Sequence, residues 1–128
     1  FTEDLIPGDL SAEQKEQLQA QGFAIIPNCY DGEPYKITKA LLDDGRNHLL
    51  LKAEIPLDCP VRLIHGDKDE VIPQSSVDKL AQKLQKQKNI TIDYRTLEGS
   101  DHFFSNHLDI LTGNIEEYLE KALSAKAA

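Results

Sequence analysis

Two short stretches concentrate the residue types that move protons: His65-Gly66-Asp67-Lys68-Asp69-Glu70 and Gly99-Ser100-Asp101-His102-Phe103-Phe104. Each follows an apolar run with strand character. Loops that leave neighbouring parallel strands emerge at one edge of a sheet, where the strands lie about 4.8 Å apart, so a carboxylate on one loop can reach an imidazole on the other. A carboxylate that accepts from a ring N–H fixes the histidine tautomer and favours the imidazolium formed during proton transfer. That is the orienting half of a Ser-His-Asp device. The same side chains, His65, Asp67, Asp69 and His102, are also imidazole and carboxylate ligands of a kind that suits Zn²⁺ or Mn²⁺, but their spacing matches no ligand signature. We therefore expect no metal and no cofactor. Asp67 and Asp101 read as turn formers, His65 as a structural histidine, and Phe103 and Phe104 as core; His48 and His107 lie in no motif.

The elements that must position these loops fall in the second half of the chain. Val61 to His65 is a β-branched run after Pro60 and predicts a buried strand. Residues 66–73 read as a loop. Val77, Leu80, Ala81 and Leu84 recur at helical spacing, with Ser75 or Ser76 as the expected cap. Ile90, Ile92 and Tyr94 alternate with polar neighbours and predict a second strand. A final helix is expected from about Leu108, with Leu111, Ile115, Tyr118, Leu119 and Ala122 on one side and residues 124–128 fraying. Two strands joined through a helix are almost always parallel, and a two-stranded parallel sheet is not expected to stand alone.

The first half has a different texture, broken by Pro7-Gly8, Pro27-Asn28, Asp31-Gly32, Pro34, Asp44-Gly45 and Pro56. Ser11-Ala12-Glu13-Gln14 has the spacing of a capping box and opens a polar surface helix to about Gln21, anchored by Leu18. Tyr35 to Leu42 reads as a second helix that stops at Asp44-Gly45, and residues 23–26 as a possible third strand. Two regions follow: a lid-like and connecting part at 1–59, where Cys29 and Tyr30 are candidate lid residues, and a β-α-β-α part at 60–128.

Composition narrows the function classes. The 128 residues carry 14 Lys and Arg against 22 Asp and Glu, a formal net charge of −8. An acidic chain of this kind argues against a phosphate-backbone binder, so no nucleic-acid partner is expected. No apolar run approaches the roughly 18–20 residues of a membrane span. Two cysteines, Cys29 and Cys59, make no disulfide framework, so a cytoplasmic location is the expectation. The chain starts at Phe1 and has no Met, which leads us to expect a processed chain or an excised piece.

Cys59-Pro60-Val61-Arg62-Leu63-Ile64-His65-Gly66-Asp67-Lys68-Asp69-Glu70-Val71-Ile72-Pro73 resembles the acid-bearing strand and loop of α/β-hydrolases, and residues 99–104 resemble their histidine loop. Residues 35–51 are similar to the segment before the acid strand in bacterial and mitochondrial serine esterases of the palmitoyl-protein thioesterase type. The resemblance implies an α/β fold, Asp69 as triad acid, His102 as general base, and a small ester or thioester as substrate, in the family order Ser…Asp…His. The family's G-x-S-x-G nucleophile elbow does not occur here. The expectation is therefore the C-terminal part of a hydrolase, incomplete as a single chain, which either receives its Ser from a complementary N-terminal half or is a non-catalytic half-domain that associates with such a half or with itself.

Overall fold

The computed structural model describes residues 5–28 and 32–126. The described residues fall into two compact units that divide between Ala53 and Glu54. Cys29 and Tyr30, read as lid candidates, lie outside the described residues.

In the first unit α1 (Leu5–Asp9) and α2 (Ala12–Gln21) precede an antiparallel pair, β1 (Phe23–Ile26) and β2 (Tyr35–Thr38), and then α3 (Lys39–Gly45). The capping box is formed: the Ser11 hydroxyl accepts from Gln14 N–H at 3.2 Å, and Gln14 Oε1 accepts from Ser11 N–H at 2.9 Å. At the other end Gly22, at φ +78°, takes the left-handed conformation that closes the helix onto Leu18 O. The helix expected over residues 35–42 is instead a strand followed by a helix. Tyr35–Thr38 pairs antiparallel with Phe23–Ile26, and Thr38 then caps α3 by accepting from Leu41 N–H at 3.1 Å. Two features override the helical spacing of the apolar residues: β-branched Ile37 and Thr38 suit a pleated strand, and a threonine favours the cap over the helix interior. Leu10, Leu18, Ala24 and Leu42 form the core of this unit.

The second unit carries β3 (Val61–Gly66), α4 (Gln74–Gln85), β4 (Ile92–Leu97) and α5 (Leu108–Lys126). β3 and β4 pair in parallel, with Val61 opposite Ile92 and Gly66 opposite Leu97. The strand at residues 23–26 belongs to the first unit and does not join this sheet. The N-cap of α4 is Pro73, with no side-chain cap, and Ser75 and Ser76 lie inside its first turn. Proline ends the extended loop here and leaves both serines helical.

Alternation along the strands sends successive side chains to opposite faces. Tyr94 and His65 meet α4 through Gln74 and Asp78. Leu84 and Ala81 of that helix are buried, worth about 1.5–3 kcal/mol for the leucine. Arg62 points the other way, toward α5. Its side chain is only 5% exposed, bonds Asp93 through Nε at 3.0 Å, reaches Glu117 at 3.3 Å and lies 4.4 Å over the Tyr118 ring. Arg95 joins the same group through Asn114 and Glu117, at 2.8 and 3.0 Å. The polar side of the predicted β4 alternation is thus an ion-pair seam to α5. The segment entering β3 is tied to the end of α4 by the Gln87 amide, which bonds both the N–H and the C=O of Ile55.

Candidate active site

Because β3 and β4 are parallel and in register, the loops at 67–73 and 98–107 begin side by side. They are laced together at the backbone. Asp67 N–H donates to Leu97 O at 3.1 Å, and Lys68 N–H to Ser100 O at 2.9 Å. Gly99, at φ +74°, turns its N–H onto Asp67 Oδ1 at 2.6 Å. Gly66 packs against Ser100 so tightly that a Cβ there would sit 2.2 Å from the Ser100 carbonyl oxygen.

This lacing brings Asp69 and His102 together. His102 Nδ1 and Asp69 Oδ2 are 3.0 Å apart. Asp69 is 6% exposed, and its other oxygen, Oδ1, accepts from the N–H groups of Val71 and Ile72 at 2.8 Å each. Three hydrogen-bond donors thus hold the carboxylate, and His65 Nε2, itself bonded to Ile72 O, lies 3.3 Å from Oδ2. Burial pushes the Asp69 carboxyl up, but the Ile72 N–H, the His102 ring and the Val71 N–H outweigh it and hold the group below its ordinary value. The His102 side chain is 36% exposed, and its Nε2 has no hydrogen-bond partner among the described residues. A histidine so held, with one nitrogen on a carboxylate and the other open, can accept and return a proton at Nε2.

The remaining candidates separate. Asp101 is a turn former, its Oδ1 accepting from Phe103 and Ser105 N–H at 3.1 and 2.9 Å. Asp67 is a strap between the two loops rather than a local turn residue, and nothing in its own sequence neighbourhood signals a partner in the other loop. His65 is buried with both ring nitrogens engaged. Phe103, expected in the core, is 57% exposed and stands edge-on to the His102 ring at 5.2 Å between centroids. The turn that Asp101 caps points this side chain outward, and Phe104 takes φ +54°. Among the described residues no group of three or more His, Cys, Asp or Glu is arranged as a candidate metal site. Asp67 accepts from Gly99 N–H, and Asp69 from Val71 N–H, Ile72 N–H and the His102 ring. Sequence reading missed Gly66, Gln74 and Ser100. Gly66 and Ser100 stand inside the quoted motifs, but their close approach is a tertiary fact.

A parallel pair with helical connections and a histidine-carboxylate pair at the carboxyl ends of its strands defines an α/β-hydrolase fold. Residues 33–125 match the model of the prolyl oligopeptidase family, and the chain belongs to that family. It is 30% identical over 115 residues to the palmitoyl-protein thioesterase ABHD10, mitochondrial, of Bos taurus, and 28% identical to the Homo sapiens protein, covering 88% of this chain and 37% of each relative. Among solved structures it is similar to a putative hydrolase from Agrobacterium vitis S4, with TM-score 0.75 and 27% identity over 91% of this chain and 44% of that one. It is also similar to alpha/beta hydrolase domain-containing protein 10 from mouse, with TM-score 0.67 and 26% identity over 89% of this chain and 46% of that one. The chain thus spans less than half the length of these relatives. No helix among the described residues is long and apolar enough to cross a membrane.

Proposed function

We propose that this chain supplies the acid and the base of a serine hydrolase acting on esters or thioesters, with the nucleophilic Ser outside these 128 residues. The observation that supports it most directly is the Asp69 Oδ2 to His102 Nδ1 contact of 3.0 Å at the carboxyl edge of a parallel sheet. In this reading His102 Nε2 takes the Ser hydroxyl proton as the oxygen attacks the acyl carbon. It returns that proton to the departing alkoxide or thiolate, and Asp69 stabilises the transient imidazolium. Water then repeats the cycle on the acyl-enzyme. The thioester option rests on the names of the relatives. Residues 1–59 are read as a lid-like and connecting region, and a free, exposed thiol at Cys59 suits a reducing compartment such as the cytoplasm.

The test is hydrolysis of a short-chain p-nitrophenyl ester by the longest polypeptide that contains this segment, beside its His102→Ala and Asp69→Ala variants. Expected is turnover that falls by about 10³-fold or more in each, and none from the 128 residues alone. Turnover that survives His102→Ala overturns the reading.

A second reading, a non-catalytic half that folds by association, is favoured by α5. Leu108, Ile115, Leu119 and Leu123 lie along one stripe of that helix and are 46–67% exposed. The sheet is two-stranded among the described residues, so β3 and β4 each have an open edge. Native mass separates the readings: a stable homodimer supports association with itself, and a complex with a second polypeptide supports a divided hydrolase.

A further inference from the structure

His65 does more than fill a buried site. Its Nε2 lies 3.0 Å from Ile72 O and 3.3 Å from Asp69 Oδ2, and its Nδ1 lies 3.1 Å from Gln74 Oε1. All three neighbours are oxygens. A backbone carbonyl only accepts, so Nε2 carries a proton. Which atom of the Gln74 amide faces Nδ1 is decided on its far side. There Gln74 Nε2 sits 3.1 Å from Asp78 Oδ1 and also meets the Tyr94 hydroxyl, which itself donates to Asp78 Oδ1 at 3.2 Å. Burial and the neighbouring Asp78 push the Tyr94 phenol up, which keeps it a donor. Reversing the amide would set Oε1 against the Asp78 carboxylate, so Oε1 stays on His65 and Nδ1 needs a proton too.

We propose that His65 is a positioning residue for Asp69: a second imidazole, protonated at both nitrogens, that ties the outer oxygen of the carboxylate to α4 through Gln74 and Asp78. The role rests on reading Asp69 as the acid. His102 and His65 then share Oδ2 from opposite elements, one ring 36% and the other 8% exposed. The exposed ring is the one that can exchange protons with a substrate. The buried ring keeps the carboxylate aimed while the exposed one changes charge. Asp69 and His102 from the two loops, Gln74 and Asp78 from α4, and Tyr94 and Thr96 from β4 are the polar side chains that meet in this network.

Long-range ¹⁵N–¹H NMR on the 128-residue chain reads the ring directly. Expected is a His65 signal with both nitrogens protonated in the wild type, and a one-proton ring in Gln74→Leu, where the second acceptor is gone. A bare ring nitrogen in the wild type, or an unchanged ring in Gln74→Leu, overturns the proposal. Amide exchange at Val71 and Ile72, the donors to Asp69 Oδ1, is the second readout. It should quicken about tenfold or more in His65→Phe and be partly restored in His65→Gln, whose amide replaces the Nε2 donor. Equal exchange in wild type and His65→Phe overturns the positioning role, and if that variant does not fold, the Gln74→Leu ring signal decides. These readouts need no turnover. An esterase assay that fails while they succeed removes the function reading and leaves the His65 geometry standing.

Discussion

Gly66 and Ser100 touch backbone to side-chain position across the two strand ends: a Cβ on Gly66 would lie 2.2 Å from Ser100 O, 2.7 Å from its carbonyl carbon and 2.9 Å from its Cβ. Ser100 is fully buried and its carbonyl is held by Lys68 N–H, so the obstacle is backbone that cannot swing aside. Gly66→Ala is expected to cost about 2–3 kcal/mol and to separate the two loops. Gly113, inside α5 with nothing within 4 Å, is the control. Gly113→Ala should stabilise by about 0.5–1 kcal/mol through helix propensity alone. Urea unfolding of both variants gives opposite signs if this contact matters, and two shifts of the same sign would contradict it.

The acid limb of stability should belong partly to Asp69. Its folded value lies below the unfolded one near 3.9, so its contribution is fully present above that pH and is lost as pH falls through the folded value. Glu117, held down to about 2 first by Lys121 and then by Arg95, acts with the same sign between about 4.3 and 2. The urea midpoint should therefore fall steadily from pH 5 to pH 2. Asp69→Asn should be less stable at pH 7 and show a shallower fall. A slope identical to the wild type would mean that Asp69 carries none of it.

What the chain discloses without a structure depends on whether a feature is local. The capping box at Ser11 and Gln14, the apolar stripe of α4 and the strand at β4 are each written in adjacent residues and all three are present, although β4 is half-buried on both faces instead of having one dominant buried face. The Tyr35–Thr38 strand is hidden because its pairing partner, Phe23–Ile26, is separated from it by residues 27–34, and four residues hold too little pattern to distinguish a strand from a helix. Motif context singles out Asp69 and His102, and the structure sets them 3.0 Å apart. The Asp67 strap, the Gly66 contact and the Gln74 link to His65 each join residues through tertiary folding, so no spacing rule exposes them.

Arg62 tests the seam between the sheet and α5. Its guanidinium serves Asp93, Glu117 and the Tyr118 face at once, a set that matches a planar fork and not a point charge. Arg62→Lys is expected to cost about 1–2 kcal/mol, and Arg62→Ala about 3 kcal/mol, since Asp93 is partly exposed and can be rehydrated. Thermal unfolding followed by near-ultraviolet circular dichroism, which sees Tyr118, measures both. Equal stabilities for lysine and arginine would show that charge alone holds the helix.

The Asp67 strap can be cut without touching either member of the histidine-carboxylate pair. Asp67 Oδ1 and Gly99 N–H, 2.6 Å apart, are both exposed, so water can take over when the carboxylate is removed. Asp67→Ala should then cost only about 1 kcal/mol of stability, well below the loss of a buried partner. Its effect on geometry is larger, because Gly99 begins the loop that ends in His102 and the strap sets the distance between that loop and Asp69. Under the proposed function, ester turnover by the longest polypeptide containing this segment should drop about tenfold in kcat with KM unchanged, the signature expected if His102 is the base and is displaced from an intact substrate site. Asp67→Asn, which retains an oxygen acceptor, should recover most of that loss. A KM rise at constant kcat would assign Asp67 to substrate binding instead, and no change in either would show that the backbone bonds of Asp67 and Lys68 hold the loops together unaided.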